Sequence, residues 1–328
     1  MTAYLEEIKY HGEAALRAGN ELLELLLVPS WGSNLISITV KEQGLELLRT
    51  PGSAEEYYHR PILYGIPLLF PPNRIDRGKF TFNGREYQFP INEPAEDLHN
   101  HGFVYDKEWK LRNTAIIGEQ IIIETEFNSR LFPELKSYFS HDFLMQLSYT
   151  LTKGRINKEV AIKNLGREAF PLGFGFHTSF AFPLKSADSG QQATFRASVV
   201  KRWQLDERNL PTKSFDQMYV EELVAGTDLS GWTLDDAFLA DTALHGKNQV
   251  QINHYQEGLK IVYSCDDNFK HWVIYNGDGK QGFVCPEPYT WITNAPNLDL
   301  PAERTGLQVL EPNQKIFFKS VIDITKFD

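Results

Sequence analysis

The chain has 328 residues, 42 % of them hydrophobic, enough for a large core and too many for a disordered segment. Its formal net charge is −10, and no block of Lys or Arg stands out, which argues against nucleic acid or an anionic membrane as a partner. Two cysteines, Cys265 and Cys285, make no disulfide framework. No apolar run approaches the roughly 20 residues of a membrane span, and the acidic, polar-broken N-terminus does not read as a signal peptide. A soluble cytoplasmic protein is expected.

Along the chain, "AALRAGNELLELLLVPS" comes first. Its Ala, Leu and Glu favour helix by propensity, but Gly19-Asn20 interrupts it and Pro29 closes it, so 21–28 is assigned to a strand. "KFTFNGREYQF" (79–89) carries Asn83-Gly84, the preferred pair for a two-residue hairpin turn, and places Phe80, Phe82, Tyr87 and Phe89 on one face. "FLMQLSYTL" (143–151) alternates Phe143, Met145, Leu147, Tyr149 and Leu151. "KIFFKSVIDI" alternates Ile316, Phe318, Ser320, Ile322 and Ile324. Gly-rich "GDGKQG" (277–282) reads as a hairpin turn. No strand–helix unit recurs, and no linker or tandem repeat is visible. The expectation is all-β: one large, mostly antiparallel domain over residues 1–328.

Polar groups gather in apolar, turn-rich surroundings at five places. They are Asn73-Arg74 in "PLLFPPNRIDRGKF", His99 and His101 in "LHNHGFVYDKEW", His177 in "GFGFHTSFAFP", Asp235-Asp236 in "GWTLDDAFLA", and Glu287 between two prolines in "GFVCPEPYTWITNAPN". Each has an ordinary alternative. Arg74 suits a surface ion pair, and Asp235 suits a turn or cap. His99 and His101 fall on one face of a strand and suit solvent. His177 and Glu287 are harder to place this way, because a buried imidazole or carboxylate needs a partner. His-x-His with a distant His and Glu also matches the ligand types of a cupin-like metal site. That pattern expects a Glu three or four residues after the second His, whereas the first Glu after His101 is Glu108. No metal is therefore expected. There is no G-x-S-x-G elbow and no phosphate loop.

Taken in order, "GSNLISI", "GIPLLFPPNRIDRGKFTFNGREYQF", "HGFVYDKEW", "GFGFHTSFAFP", "LDDAF" and "VCPEPYTWITNAPN" resemble the aldose 1-epimerases of the galactose mutarotase superfamily. The resemblance runs from about residue 20 to 325. It implies a β-supersandwich, no cofactor, and a small-molecule sugar as partner, in a monomer or homodimer. By the same resemblance Glu287 looks like the general base, His177 the general acid and His101 a helper at the ring oxygen. Arg74 and Asp235, with Asn73 and His99 beside them, look like substrate-binding residues. The chain departs from the family pattern at Leu98, where Asn is common, and at His177-Thr178-Ser179-Phe180, where better-known members read His-Pro-Tyr-Phe. The implied activity is interconversion of the α and β anomers of a free aldose. The alternatives are a hexose-6-phosphate 1-epimerase, with Arg74, Arg77, Lys79 and Arg85 as phosphate ligands, and a non-catalytic sugar-binding protein.

Overall fold

The period-two runs become strands. The computed structural model describes residues 3–184, 193–241 and 247–327. Phe143–Thr152 alternates buried and half-buried residues along its whole length, with Phe143, Met145, Leu147, Tyr149 and Leu151 inside. Lys315–Lys326 buries every second residue from Phe318 to Ile324. In the hairpin, Lys79–Phe82 pairs with Arg85–Gln88 and sets Phe80 opposite Tyr87, their rings stacked 4.5 Å apart. Asn83 and Gly84 turn it with φ of 48° and 75°, the double left-handed conformation that a two-residue hairpin of right-twisted strands requires.

The Leu-rich segment expected as a strand is Leu23–Val28, and the Ala-rich run before it is the strand Glu13–Gly19. Helix propensity loses here to a side-chain turn. The Asn20 Oδ1 accepts from the amides of Leu22 and Leu23, at 2.8 and 2.9 Å, and folds the chain back. These two strands lie in a sequential five-stranded sheet with Tyr4–Tyr10, Asn34–Val40 and Leu45–Glu46.

Two larger sheets carry the rest. One is eight-stranded and runs, in spatial order, through Lys110–Ile117, Gln120–Asn128, Phe143–Thr152, Arg155–Asn164, Lys315–Lys326, Leu259–Cys265, Gln249–His254 and Ala193–Ala197. The other is built on Val199–Leu205, Asp235–Ala240, His271–Tyr275 and Phe283–Tyr289, with the short Gly175–Phe176 and Leu68–Leu69 beyond. All recorded pairings within these sheets are antiparallel. Trp272, on the second sheet, donates its Nε1–H to Asn248 Oδ1 at 2.7 Å, beside the strand Gln249–His254 of the first. The described residues include only three short α-helices. None is long and apolar enough to cross a membrane.

One inward position breaks the apolar pattern. Along Arg155–Asn164 the alternating inward residues are Ile156, Lys158, Val160, Ile162 and Asn164, so a lysine occupies a core site and is 1 % exposed. Its Nζ donates to the Tyr263 hydroxyl at 2.9 Å and lies 4.1 Å over the Phe176 ring. Burial pulls the amine down to about 7, against roughly 10.4 in an unfolded chain. Between those two values the unfolded state binds more protons, so this lysine makes stability rise with pH. Below about pH 7 its cost is present in full. Lys158→Met is therefore expected to leave the fold intact with an equal or higher Tm at pH 6. The gap from wild type should narrow towards pH 10, the whole span being on the order of a few kcal/mol. Thermal unfolding across that pH range checks it; a gap that widens with pH contradicts it.

Candidate active site

Strand register brings the acidic residues to one face. Asp235 pairs with Tyr275, and Val273 lies between Ala237 and Glu287. Alternate residues share a face, so Asp235, Tyr275, Val273 and Glu287 all point the same way. All four line a cleft of about 580 Å³, a size suited to a small molecule. Glu287 sits between two prolines in a strand with neighbours on both sides. On one side Gly175 pairs with Tyr289 and Phe180 with Val284, and no described residue is paired with 285–288 between them. Lys270 donates to the Tyr289 carbonyl on the other side, so the even-numbered Pro286 and Pro288 face this break. Their missing N–H groups thus leave no ladder bond unmade.

His177 fills the break. Its amide donates to the Pro67 carbonyl at 3.0 Å, and the Ser179 amide donates to Gly65 at 2.9 Å, so the segment is pinned to the 65–69 stretch instead. The imidazole Nε2 then stands 3.2 Å from Glu287 Oε1. The other carboxyl oxygen of Glu287 accepts from the Tyr289 hydroxyl. Both members are almost wholly buried. Burial pushes the Glu287 carboxyl well above its usual value, against the opposing pull of the Tyr289 hydrogen bond. Burial pushes His177 down to about 3. The pair therefore holds one proton between two groups over a wide pH range, and the dry surroundings favour its uncharged arrangement. The His101 ring meets His177 edge-on at 5.3 Å. Burial, and then His177, hold it well below the ordinary histidine value.

A second polar group lies across the cleft. Arg74 starts the short strand Arg74–Asp76 and pairs with Asn100. Its Nε is 3.3 Å from Glu93 and its second terminal nitrogen 3.2 Å from Asp235. Burial works against the guanidinium charge, but Asp235 and Glu93 hold its pKa above the usual value. Asn209 donates to Asp235 at 3.1 Å, and Asn100 donates to Glu93 at 2.6 Å. The tail of the "VCPEPYTWITNAPN" motif braces this group. Trp291 donates to the Pro72 carbonyl, and the Asn294 amide donates to the Arg74 carbonyl. Asn73 accepts the Arg74 amide at 2.7 Å through its own Oδ1.

Arg74, Asn73, His101, His177, Asp235 and Glu287 thus share one cleft. His99 does not. Its Nδ1 bonds the Pro90 carbonyl at 2.7 Å and its ring packs edge-on against Phe89. The expectation that His99 and His101 share a strand face fails because the strand ends at Asn100 and His101 takes φ of 64°. Gly102 follows with φ of 71°, and a Cβ there would fall 2.1 Å from the Phe70 carbonyl oxygen. Arg77, Lys79 and Arg85 pair with Asp97, Glu86 and Glu168 away from the cleft. The glycines before His177 do not make room for a ligand: Cβ atoms at Gly173 and Gly175 would strike the rings of Trp291 and Tyr289. Among the cleft residues that sequence reasoning missed are Glu93, Asn100, Tyr105 and Tyr275. Asn100 could have been found as the polar residue between the two histidines. Glu93 sits in an ordinary "NEP" turn and carries no local signal. A wider hollow of about 1000 Å³, between Tyr4–Tyr10 and Lys110–Ile117, contains no histidine.

A family model described as aldose 1-epimerase matches residues 16–323. The chain is 27 % identical over 277 residues to the uncharacterized protein YihR of Escherichia coli K12, covering 81 % of this chain and 80 % of that one. It is 24 % identical over 280 residues to the galactose mutarotase of Mus musculus, covering 79 % and 78 %. Among solved structures, a galactose mutarotase-like protein of Clostridium acetobutylicum superposes with a TM-score of 0.94 at 28 % identity, over 99 % of each chain. Galactose 1-epimerase of Lactobacillus acidophilus gives 0.78 at 13 % identity over 100 % of each, a likeness of fold.

The shared proton has a spectroscopic consequence. The ring signals of His177 in NMR are expected to stay constant from about pH 5 to pH 8, because burial holds its pKa well below the ordinary histidine value. An inflection near 6.5, the value of an exposed imidazole, contradicts the buried pair.

Proposed function

The chain belongs to the aldose 1-epimerase family, and from that premise we propose that it is a mutarotase for a free aldose. The observation that carries this reading is the direct, buried contact between His177 and Glu287 at 3.2 Å. Anomer exchange needs one proton taken from the O1 hydroxyl and one given to the ring oxygen O5. A pair that holds a single proton matches that requirement.

In this reading the sugar enters between the two groups. As it does so the shared proton passes from Glu287 to His177; Glu287, then a carboxylate, takes the O1 proton while His177, then an imidazolium, protonates O5. The C1–O5 bond breaks and the O1 lone pair forms the C1=O1 double bond. Rotation about C1–C2 turns the other aldehyde face to the O5 hydroxyl. On closure O5 returns its proton to His177, and Glu287 returns its proton to O1, so no proton or electron is consumed. The Tyr289 hydroxyl, aimed at Glu287, supports the carboxylate form. His101 lies beside His177 as a helper at O5. The carboxylates of Glu93 and Asp235, held apart by Arg74, offer acceptors to sugar hydroxyls. Asn73 completes that side of the cleft. A phosphorylated hexose finds Arg74 already matched by two carboxylates and the other three expected cations outside the cleft, which leaves Arg60 as the one further arginine among its described lining residues.

Polarimetry or saturation-transfer NMR on a panel of aldoses and glucose 6-phosphate tests the reading. Glu287→Gln and His177→Asn are each expected to lower kcat by about 10²–10⁴. Full activity in Glu287→Gln would sink the mechanism. Glu93→Gln is expected to raise KM about 10-fold, the scale of one charge-assisted hydrogen bond, with kcat little changed. Faster exchange of the 6-phosphate than of any free sugar favours the phosphate reading.

A further inference from the structure

The backbone alternation that sends His177 into the cleft sends its two neighbours the other way. Phe176 and Thr178, both fully buried, face the core between the two larger sheets. There each meets one member of a joined pair. The Lys158 ammonium lies 4.1 Å over the Phe176 ring, and the Thr178 hydroxyl donates to the Tyr263 hydroxyl at 3.3 Å. Lys158 and Tyr263 are joined to each other by the 2.9 Å hydrogen bond.

The placement is costly for a structural residue. Lys158 is opposite Tyr149 on one neighbouring strand and Ser320 on the other. Cys265, paired with Ser320, lies close by. Among the described residues no carboxylate is ion-paired with it. An aliphatic side chain would fill the same space without burying an amine. What the amine adds is directional: a donor aimed at one hydroxyl from a nitrogen held over one ring face.

We propose that Lys158 and Tyr263 form one positioning unit for His177, gripping the residues on either side of it from behind so that the imidazole is held facing the cleft and Glu287. The proposal rests on the reading of His177 as the proton donor, and extends it into the core behind the cleft.

The test uses the full chain with Lys158→Met, which keeps the apolar stem and removes the donor, and Tyr263→Phe, which removes only the hydroxyl. Each is expected to lower kcat about 10-fold with KM little changed, as a small misplacement of a reacting group does. The double variant should be no worse than the more affected single one, because the two act as a unit. Wild-type kcat in either folded variant overturns the proposal. The ring signals of His177 in NMR give a second readout that needs no turnover: displaced signals in both variants support the unit, and unchanged signals in either overturn it. If wild type exchanges no sugar, the mutarotase reading falls, and the ring signals alone decide this one. If Lys158→Met fails to fold, Tyr263→Phe carries both measurements.

Discussion

The cleft is organised around one contact between two buried groups. A carboxyl and an imidazole, each almost inaccessible, face one another at hydrogen-bond distance. Alone, either would be an expensive thing to bury. Together they can share one proton and remain uncharged. The sheet that carries them supplies what this needs. One strand presents Glu287 and, two residues on, the Tyr289 hydroxyl that binds it. The interruption beside that strand supplies the space into which His177 is folded. Strain or slippage by one residue in Phe283–Tyr289 would turn Glu287 to the opposite face and lose the contact.

Across the cleft the logic is different. Arg74 keeps its charge, and two carboxylates on separate elements share it. A half-exposed group of this kind retains unused lone pairs after its ion pairs are made, and those are what a polyhydroxylated ligand can meet. The cleft thus has a dry side, where two groups share a proton, and a wetter side, where paired charges keep acceptors open to solvent. The two sides come from different parts of the chain and meet only through tertiary structure.

Much of this was legible in the sequence where the signal is local. Alternation in 143–151 gave a strand with its apolar face inward, and Asn83-Gly84 gave a hairpin turn. The discomfort of His177 and Glu287 in apolar runs pointed to partners, and they are near each other. The misses are equally physical. His99 and His101 look like same-face neighbours until the strand ends at Asn100 and the left-handed backbone of His101 itself turns its ring away. Glu93 reaches the cleft from a turn whose own sequence is unexceptional. Lys158 was visible in principle as the charged member of an inward set in "RINKEVAIKN", but a lysine in an alternating strand is usually read as belonging to the solvent face.

The prolines flanking Glu287 have a wider meaning. A β-sheet repairs its own gaps when a neighbouring segment can add donors and acceptors to an open edge. Here the edge facing the break has carbonyls but lacks two of its donors, so it cannot be zipped by the segment that passes it. The opening beside Glu287 is therefore written into the covalent chain, in residues that have no hydrogen to give.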